Sequence, residues 1–279
     1  MHRLSRFGIE RLEDRANPAV VASVTPEGDL LVTGSTNPGQ VAVVFQTAPN
    51  HFRVEEGGQL VGEFDVTRDV VAEFGEGHDQ FDVVLNGFTA PRDIRLDLGG
   101  GSNGTIVGYG TARNVTVRAG GAVTDVDGVY LSFLQTTGRA AVDLGDAPSG
   151  PGIAGDVVKV TGSQFGTDLV LTNVEDLEIR DNTTIGRDLF IATAAGTDTN
   201  IAVGAAVGRN LAVVLGGGAD DVALTGSVGG AAVVSLGAGD DELEAGAGVG
   251  TLLALGGSGT DTFLGDPDAR GVFLFGFEL

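Results

Sequence analysis

Gly216-Gly217-Gly218-Ala219-Asp220-Asp221-Val222, Gly237-Ala238-Gly239-Asp240-Asp241-Glu242-Leu243 and Gly257-Ser258-Gly259-Thr260-Asp261-Thr262-Phe263 share one spacing: Gly-x-Gly-x-acid-x-large apolar. Their aspartates Asp220, Asp241 and Asp261 are 21 and 20 residues apart. The same step relates apolar positions around them, in the columns Val213, Val234 and Leu253; Leu215, Leu236 and Leu255; and Val222, Leu243 and Phe263. A period near 20 holding two short strand patterns is too short for a strand plus a crossover helix, and it fits one coil of a parallel β-solenoid. Stacked coils place such columns inside, one rung over another at roughly 4.8 Å. The expected fold is therefore all-β, a parallel β-helix (β-solenoid) with coils of about 20 residues. A β-sandwich of consecutive hairpins is the alternative, and it predicts no columns at one constant step with glycine turns in phase.

Working outward, a second recurrence supports the phase. Arg92-Asp93-Ile94, Arg113-Asn114-Val115, Arg187-Asp188-Leu189 and Arg209-Asn210-Leu211 each precede a strand pattern, the first two 21 residues apart and the last two 22. The repeat runs over residues 72–279, with a less regular stretch at 130–174 in which Asp146-Ala147-Pro148-Ser149-Gly150-Pro151-Gly152 reads as a loop pushed out of one coil. After Asp266-Pro267-Asp268, the alternating Phe273, Phe275 and Phe277 predict a C-terminal capping strand. Residues 20–71 read as strands broken by the turns Pro26-Glu27-Gly28-Asp29, Asn37-Pro38-Gly39 and Glu56-Gly57-Gly58, an antiparallel β-hairpin cap on the first rung. Residues 1–19 stand apart, a basic tail or sorting segment with Arg3, Arg6, Arg11 and Arg15 and no apolar core of a secretory signal.

Composition agrees and excludes several classes. With 47 Gly, no Trp, no Cys and one Met in 279 residues, the chain is poor in helix formers. The 16 Lys and Arg against 38 Asp and Glu leave a net charge of −22, with Lys159 the single lysine, so no basic stripe exists to bind nucleic acid. The absence of cysteine removes disulfides and thiolate chemistry but leaves the compartment open. His2, His51 and His78 are too scattered for an imidazole zinc site, and no apolar run is long enough for a transmembrane helix. Asp outnumbers Glu 25 to 13, which suits turns and calcium loops better than helical surfaces.

The chemistry suggested by the turns is oxygen coordination. Glycines permit positive φ and free carbonyls to face an ion, aspartate supplies charge, and the apolar residue starts the next strand. Calcium takes six to eight oxygens, more than one turn supplies, so ligands would come from stacked turns. The candidate residues are Asp220, Asp241 and Asp261 with Gly216, Gly218, Gly237, Gly239, Gly257 and Gly259; Asp221 and Asp240 add charge beside them. Three turns make two gaps, hence up to two Ca²⁺. The earlier turn Gly75-Glu76-Gly77-His78-Asp79-Gln80-Phe81 adds Asp79, with Asn103 in the corresponding position one coil on. Turn formation alone recruits the same Gly and Asp residues, so a metal-free solenoid remains open.

With Gly256, the last motif completes the nonapeptide G-G-x-G-x-D-x-U-x, and at these residues the chain resembles the RTX, or haemolysin-type, calcium-binding repeat. The resemblance implies Ca²⁺ between stacked turns. It is partial: RTX repeats recur every nine residues and load both edges, whereas here the opposite edge, Thr225 to Gly230 and Ala245 to Gly250, carries no acid. Leu12-Glu13-Asp14-Arg15 followed by Pro18-Ala19 resembles the LEDR-type N-terminal segment of planctomycete exported and surface proteins, which implies secretion or display at the cell surface.

Catalysis is not expected. A polysaccharide-acting β-helix enzyme of the pectate-lyase kind needs a basic residue beside Asp-bound calcium, and Arg180, Arg187, Arg209 and Lys159 are the few candidates. No Gly-x-Ser-x-Gly elbow or phosphate loop occurs, and with no Trp and two Tyr no aromatic platform for sugar is expected. Ice binding would need an in-phase threonine column, which Thr183-Thr184, Thr197-Thr199 and Thr260-Thr262 do not form. The expectation is an exported structural or adhesive solenoid with calcium ions and cell-surface or matrix components as partners. A metal-free spacer or binding face is the alternative.

Overall fold

The computed structural model of the chain describes residues 20–34, 39–120, 125–145, 155–180, 182–193, 196, 198–266 and 271–278. Every regular element among them is a β-strand. The strand residues alternate between a buried and a partly covered face. In Leu169–Thr172 (LVLT), for example, both leucines are fully buried and Val170 and Thr172 face outward. Such short alternating segments cannot bury their apolar face alone, and stacking supplies the missing neighbours.

Successive coils give one strand to each of two sheets. The first sheet has twelve strands, among them Leu30–Thr33, Val70–Glu73, Ile94–Asp97, Val115–Arg118, Ala140–Asp143, Leu169–Thr172, Leu189–Ala192, Leu211–Val214, Ala232–Ala238, Leu252–Ser258 and Val272–Phe275. The second, of sixteen, includes Val41–Ala48, Gln80–Val84, Gly104–Ala112, Gly128–Thr136, Val157–Thr161, Asp176–Arg180, Asn200–Val203, Asp221–Leu224, Glu242–Ala245 and Thr262–Leu264. A short ladder, Gln164–Phe165, Thr184–Ile185, Ala206–Val207 and Ser227–Val228, branches from it. From coil to coil the pairing is parallel. The expected β-solenoid is therefore the fold.

The core is a set of inward columns. Leu169, Leu189, Leu211, Ala232 and Leu252 form one, and Leu171, Ile191, Val213, Val234 and Ala254 another, each residue at most 1% exposed. The column Val222, Leu243 and Phe263 is present as expected. Leu253 and Leu255 are not in their expected columns. Leu253 pairs with Val233 and Leu255 with Ser235, both leucines face outward, and Ala254 takes the inward place above Val234. The step there is 20 residues, so counting to the nearest large apolar residue lands one position off, and one position reverses the face.

The N-terminal region contains the expected antiparallel pairs: Val21–Val24 on Leu30–Thr33, and Val41–Ala48 followed by His51–Glu56 and Gln59–Asp65. Its strands also join the stack, since Leu30–Thr33 and Val41–Phe45 pair in parallel with Val70–Glu73 and Gln80–Val84. The LEDR segment, the loop from Asp146 to Gly152, and Asn37, Pro38, Pro267 and Asp268 lie outside the described residues. The coil holding that loop is long, with Ala140 opposite Leu169, 29 positions on. At the far end Val272–Phe275 continues the first sheet, Phe277 packs on Phe263 with ring centroids 6.2 Å apart, and Phe273 and Phe275 face outward, more than half exposed.

Candidate metal centre

The corner leading from the first sheet into the second is built on one repeated device. In successive coils a polar residue sits two positions before the first inward residue of the second-sheet strand, so its side chain also points inward. Except at Thr199, its side-chain oxygen accepts the backbone N–H of the equivalent residue one coil earlier; the Glu175 N–H donates instead to the Asp156 carbonyl oxygen at 3.1 Å. The column runs through Asp220, Asp241 and Asp261: Asp220 N–H donates to Asp241 at 2.9 Å, Asp241 N–H to Asp261 at 3.2 Å, and Asp261 N–H to Glu278 at 2.6 Å. Asp220 itself accepts from the N–H and hydroxyl of Thr199, at 3.0 and 2.7 Å. The three aspartates are at most 2% exposed, and Oδ2 of each is buried with no hydrogen-bond partner.

Burial without compensation raises the carboxyl pKa of Asp220 and of Asp241. Burial is the leading cause at Asp220, which is pushed up to about 6 against the partly offsetting Thr199 hydroxyl, with Asp241 and Asp198 adding repulsion. Asp241 is raised for the same reason, with Asp261 and Asp240 contributing.

The glycines occupy the turn above each aspartate. Gly218, Gly237, Gly239, Gly257 and Gly259 have φ between 110° and 155°, a positive-φ region that residues with side chains avoid. A Cβ at Gly239 would strike the carbonyl oxygen of Gly218, and one at Gly259 that of Gly239. Part of each turn belongs to the sheet: Gly237 pairs with Gly257, Ala238 N–H donates to Gly216 O at 3.2 Å, and Gly218 N–H to Ala238 O at 2.8 Å.

Asp221 and Asp240 do not join their neighbours. Asp221 starts a strand and points outward opposite Asn200 and Glu242, while Asp240 is exposed and accepts the Thr260 N–H at 2.8 Å. Adjacent residues in an extended chain face opposite ways, so each expected acid pair divides into one inward and one outward carboxylate. Asp79 is inward and buried, accepts the Gln40 N–H at 3.1 Å, has an unpartnered Oδ2, and donates its own N–H to Asn103 at 3.2 Å.

Three acids of the same column went unread in the sequence, Asp127, Asp156 and Glu175, and the exposed Glu278, in register with Thr262, closes the column by accepting the Asp261 N–H. Asn103 N–H donates to Asp127 at 2.7 Å, Asp127 N–H to Asp156 at 2.7 Å, and Asp156 N–H to Glu175 at 2.9 Å. Burial raises Asp127 to about 6 and, with Asp127, Glu175 and Asp125 nearby, Asp156 to about 7. The first three carry the acid-x-apolar half of the motif, Asp127-Gly128-Val129, Asp156-Val157-Val158 and Glu175-Asp176-Leu177, without Gly-x-Gly before it.

The opposite corner uses a coil-to-coil bond of the same kind but reversed direction, the later coil's N–H donating to the earlier coil's carboxylate, with the charge compensated. Asp69 N–H donates to Asp29, Asp93 N–H to Asp69 and Asn210 N–H to Asp188. Here arginines answer: Arg95 lies 2.9 Å from Asp69, Arg113 2.7 Å from Asp93, Arg187 3.7 Å from Asp168 and Arg209 3.9 Å from Asp188. The Arg113 hydrogen bond is the main reason the Asp93 carboxyl is held down at about 2. The recurring Arg-Asp/Asn dipeptide thus marks a charge-neutralised corner. Arg180 and Lys159 both face Glu178. An open groove of about 470 Å³ on the first sheet brings Arg95, Arg118 and Arg139 near Asp93 and Asp143, where Asp93 is held by Arg113 and Asp143 accepts from Asn173 at 2.9 Å.

The donor set of the late turns fits a hard cation in type and charge: oxygen only, with two unpartnered carboxylate oxygens at each gap, Asp220/Asp241 and Asp241/Asp261. It is sparse in number, since among the described residues no group of three or more His, Asp or Glu side chains is arranged to hold a metal. Glycine carbonyls and water would complete the shell. Comparison with family models, curated proteins and solved structures found no match to this chain.

Proposed function

We propose that this chain is an exported or surface-associated structural and adhesive β-solenoid whose late coils take up Ca²⁺ between the stacked turns at Asp220, Asp241 and Asp261. The observation that carries the reading is the run of three consecutive buried carboxylates, each with one oxygen engaged by backbone and the other unpartnered. Repulsion along that run is relieved when a cation enters, so binding free energy becomes folding free energy. Two carboxylates per gap, rather than three or four, place the site in the weak class suited to millimolar calcium outside cells. The LEDR-type segment supports export, and the engaged state of the Arg and Asp side chains around the first-sheet groove supports a structural rather than catalytic role. Cell-surface or matrix components are the partners this role implies.

For a Kd of about 1 mM, about 10 mM Ca²⁺ stabilises the fold by about 1.4 kcal/mol per site. That raises the melting temperature by a few degrees beyond NaCl of equal ionic strength. Asp241 borders both gaps, so Asp241→Asn removes the calcium-specific part. Equal effects of the two salts on the native chain, or an undiminished calcium effect in the variant, refute the proposal.

A metal-free solenoid is the second reading. It is favoured by the column working as a hydrogen-bonded spine without an ion, and by the raised pKa of Asp220, which offers protonation as another route to neutrality. It predicts that lowering the pH toward 5 stabilises the chain as well as calcium does.

A further inference from the structure

Among the described residues, six non-glycine residues have positive φ: Asn50, Asn86, Tyr109, Phe133, Asn173 and Asn182. Asparagine tolerates the left-handed region, and bulky residues are outliers there. The two exceptions are both aromatic and lie on neighbouring coils, because Gly108 pairs with Ser132 and Gly110 with Leu134. The same level of the next two coils is filled by Gly162 and Asn182, the residue types this backbone prefers. Tyr109 and Phe133 therefore hold a conformation their side chains disfavour, and they do so while 47% and 56% exposed. Their rings stack on each other with centroids 5.7 Å apart and planes 33° apart.

We infer that Tyr109 and Phe133 form the stacking platform of a binding site for a hexopyranose unit of a neutral glycan. The rings border an open recess of about 680 Å³, within the range of small-molecule sites. Gly87, where a Cβ would meet open space, leaves part of its wall bare, and Asn86, Thr111 and Gln135 bring neutral amide and hydroxyl groups to it. No charged side chain lines it, on a chain carrying 38 acids, so the complementary ligand is uncharged. A flat ring with one apolar face and a rim of hydroxyls meets both halves of this surface, the aromatic pair and the amides. A peptide strand cannot add here, because Gly104–Ala112 and Gly128–Thr136 are each paired on both sides. The aromatic platform that composition argued against is thus assembled from one of only two tyrosines and a phenylalanine, brought together by coil register. The site is remote in sequence from the late aspartates and does not depend on calcium.

The chain has no tryptophan, so in a Tyr130→Phe background all aromatic emission of the tyrosine type comes from Tyr109. That protein is titrated with cellohexaose, mannohexaose and the hexamer of N-acetylglucosamine, with tetramethylammonium as a cationic comparison. At least one sugar should change Tyr109 emission saturably at or below about 10 mM. Separately, Tyr109→Asn and Phe133→Gly, which suit the left-handed backbone, should weaken binding of that sugar at least about tenfold by calorimetry. They should also leave the melting temperature equal or higher. The inference is overturned if no sugar perturbs Tyr109, if the variants bind undiminished, or if tetramethylammonium binds more tightly than every sugar. A melting temperature lowered by more than about 5 °C in both variants also overturns it, since the rings would then be packing elements.

Discussion

Asp156→Asn should stabilise this protein at pH 8 and leave it unchanged near pH 4. The Asp156 carboxyl is 1% exposed and accepts the Asp127 N–H at 2.7 Å. Its own N–H is bound to Glu175 at 2.9 Å. The charges that act on it are those of three acids, Asp127, Glu175 and Asp125. Its pKa is raised from 3.8 to about 7, chiefly by burial. In the folded state it binds its proton more tightly than in the unfolded chain, so its contribution is fully present below about pH 3.8 and is lost as the pH rises through about 7. At 1.36 kcal/mol per unit, the native chain above pH 7 has forfeited at most about 4 kcal/mol at this position. Asp127 and Glu175 titrate in the same field, so their protonation is coupled to that of Asp156 and about 2–4 kcal/mol is expected. Asparagine keeps an acceptor oxygen for the Asp127 N–H and never charges. Urea unfolding of both proteins from pH 4 to 8.5, in a calcium chelator with ionic strength fixed, should show curves that coincide at the acid end and diverge with rising pH. A variant less stable than the native chain at pH 8, or an offset independent of pH, refutes the reasoning.

The compensated corner titrates the other way. Asp93 is lowered from 3.8 to about 2, first by the Arg113 hydrogen bond, so its stabilisation is present above pH 3.8 and is lost as the pH falls through about 2. Arg113→Gln should lower the melting temperature at pH 7 by a few degrees and have little effect at pH 2, as read by thermal unfolding at both values. Gly259→Ala should destabilise by about 1–3 kcal/mol from backbone conformation alone, with the collision against the Gly239 carbonyl oxygen added to it. Denaturant unfolding checks this, and a neutral result would show that the late turn has a different conformation.

The solenoid was legible because the features that specify a coil recur at fixed distance: Val222, Leu243 and Phe263 stand in the same phase as the aspartates two positions before them. Where small residues took an inward place, the reading slipped. Ala254 lies in the column that large-residue counting assigned to Leu253, and nothing local distinguishes the two. The acids of the site were legible where Gly-x-Gly preceded them and invisible where it did not, so Asp127, Asp156 and Glu175 emerged only when stacking set them in line with Asp220. Asp221 and Asp240 misled for the opposite reason, because sequence adjacency is not spatial adjacency in an extended chain. The Tyr109 and Phe133 pair needed the register of two coils and the sign of φ, neither of which composition carries.

Both corners of the solenoid use a side-chain oxygen to accept an N–H from an adjacent coil, the preceding coil at the aspartate corner and the following coil at the arginine corner, so the hydrogen bond alone does not explain their difference in charge. Arginine neutralises the acids at one corner. At the other, neutral residues interrupt the column at Asn103 and at Thr199, which lie beside Asp79 and Asp220. The remaining acids fall into two blocks, Asp127 to Glu175 and Asp220 to Asp261. The middle block lacks Gly-x-Gly turns, and burial there already drives Asp156 to about 7, so a proton is the counter-charge at hand. The late block has glycine turns with carbonyls aimed along the stack and consecutive unpartnered carboxylate oxygens, an all-oxygen set suited to a larger cation such as calcium. On the proposed reading the two blocks differ in their answer to calcium. Acidification should tighten both, the middle block already as the pH falls through about 7, whereas calcium should tighten only the C-terminal end. Hydrogen exchange can separate them: calcium should slow amides around Asp241 and leave those around Asp156 unchanged, and uniform protection along the rod would refute the division.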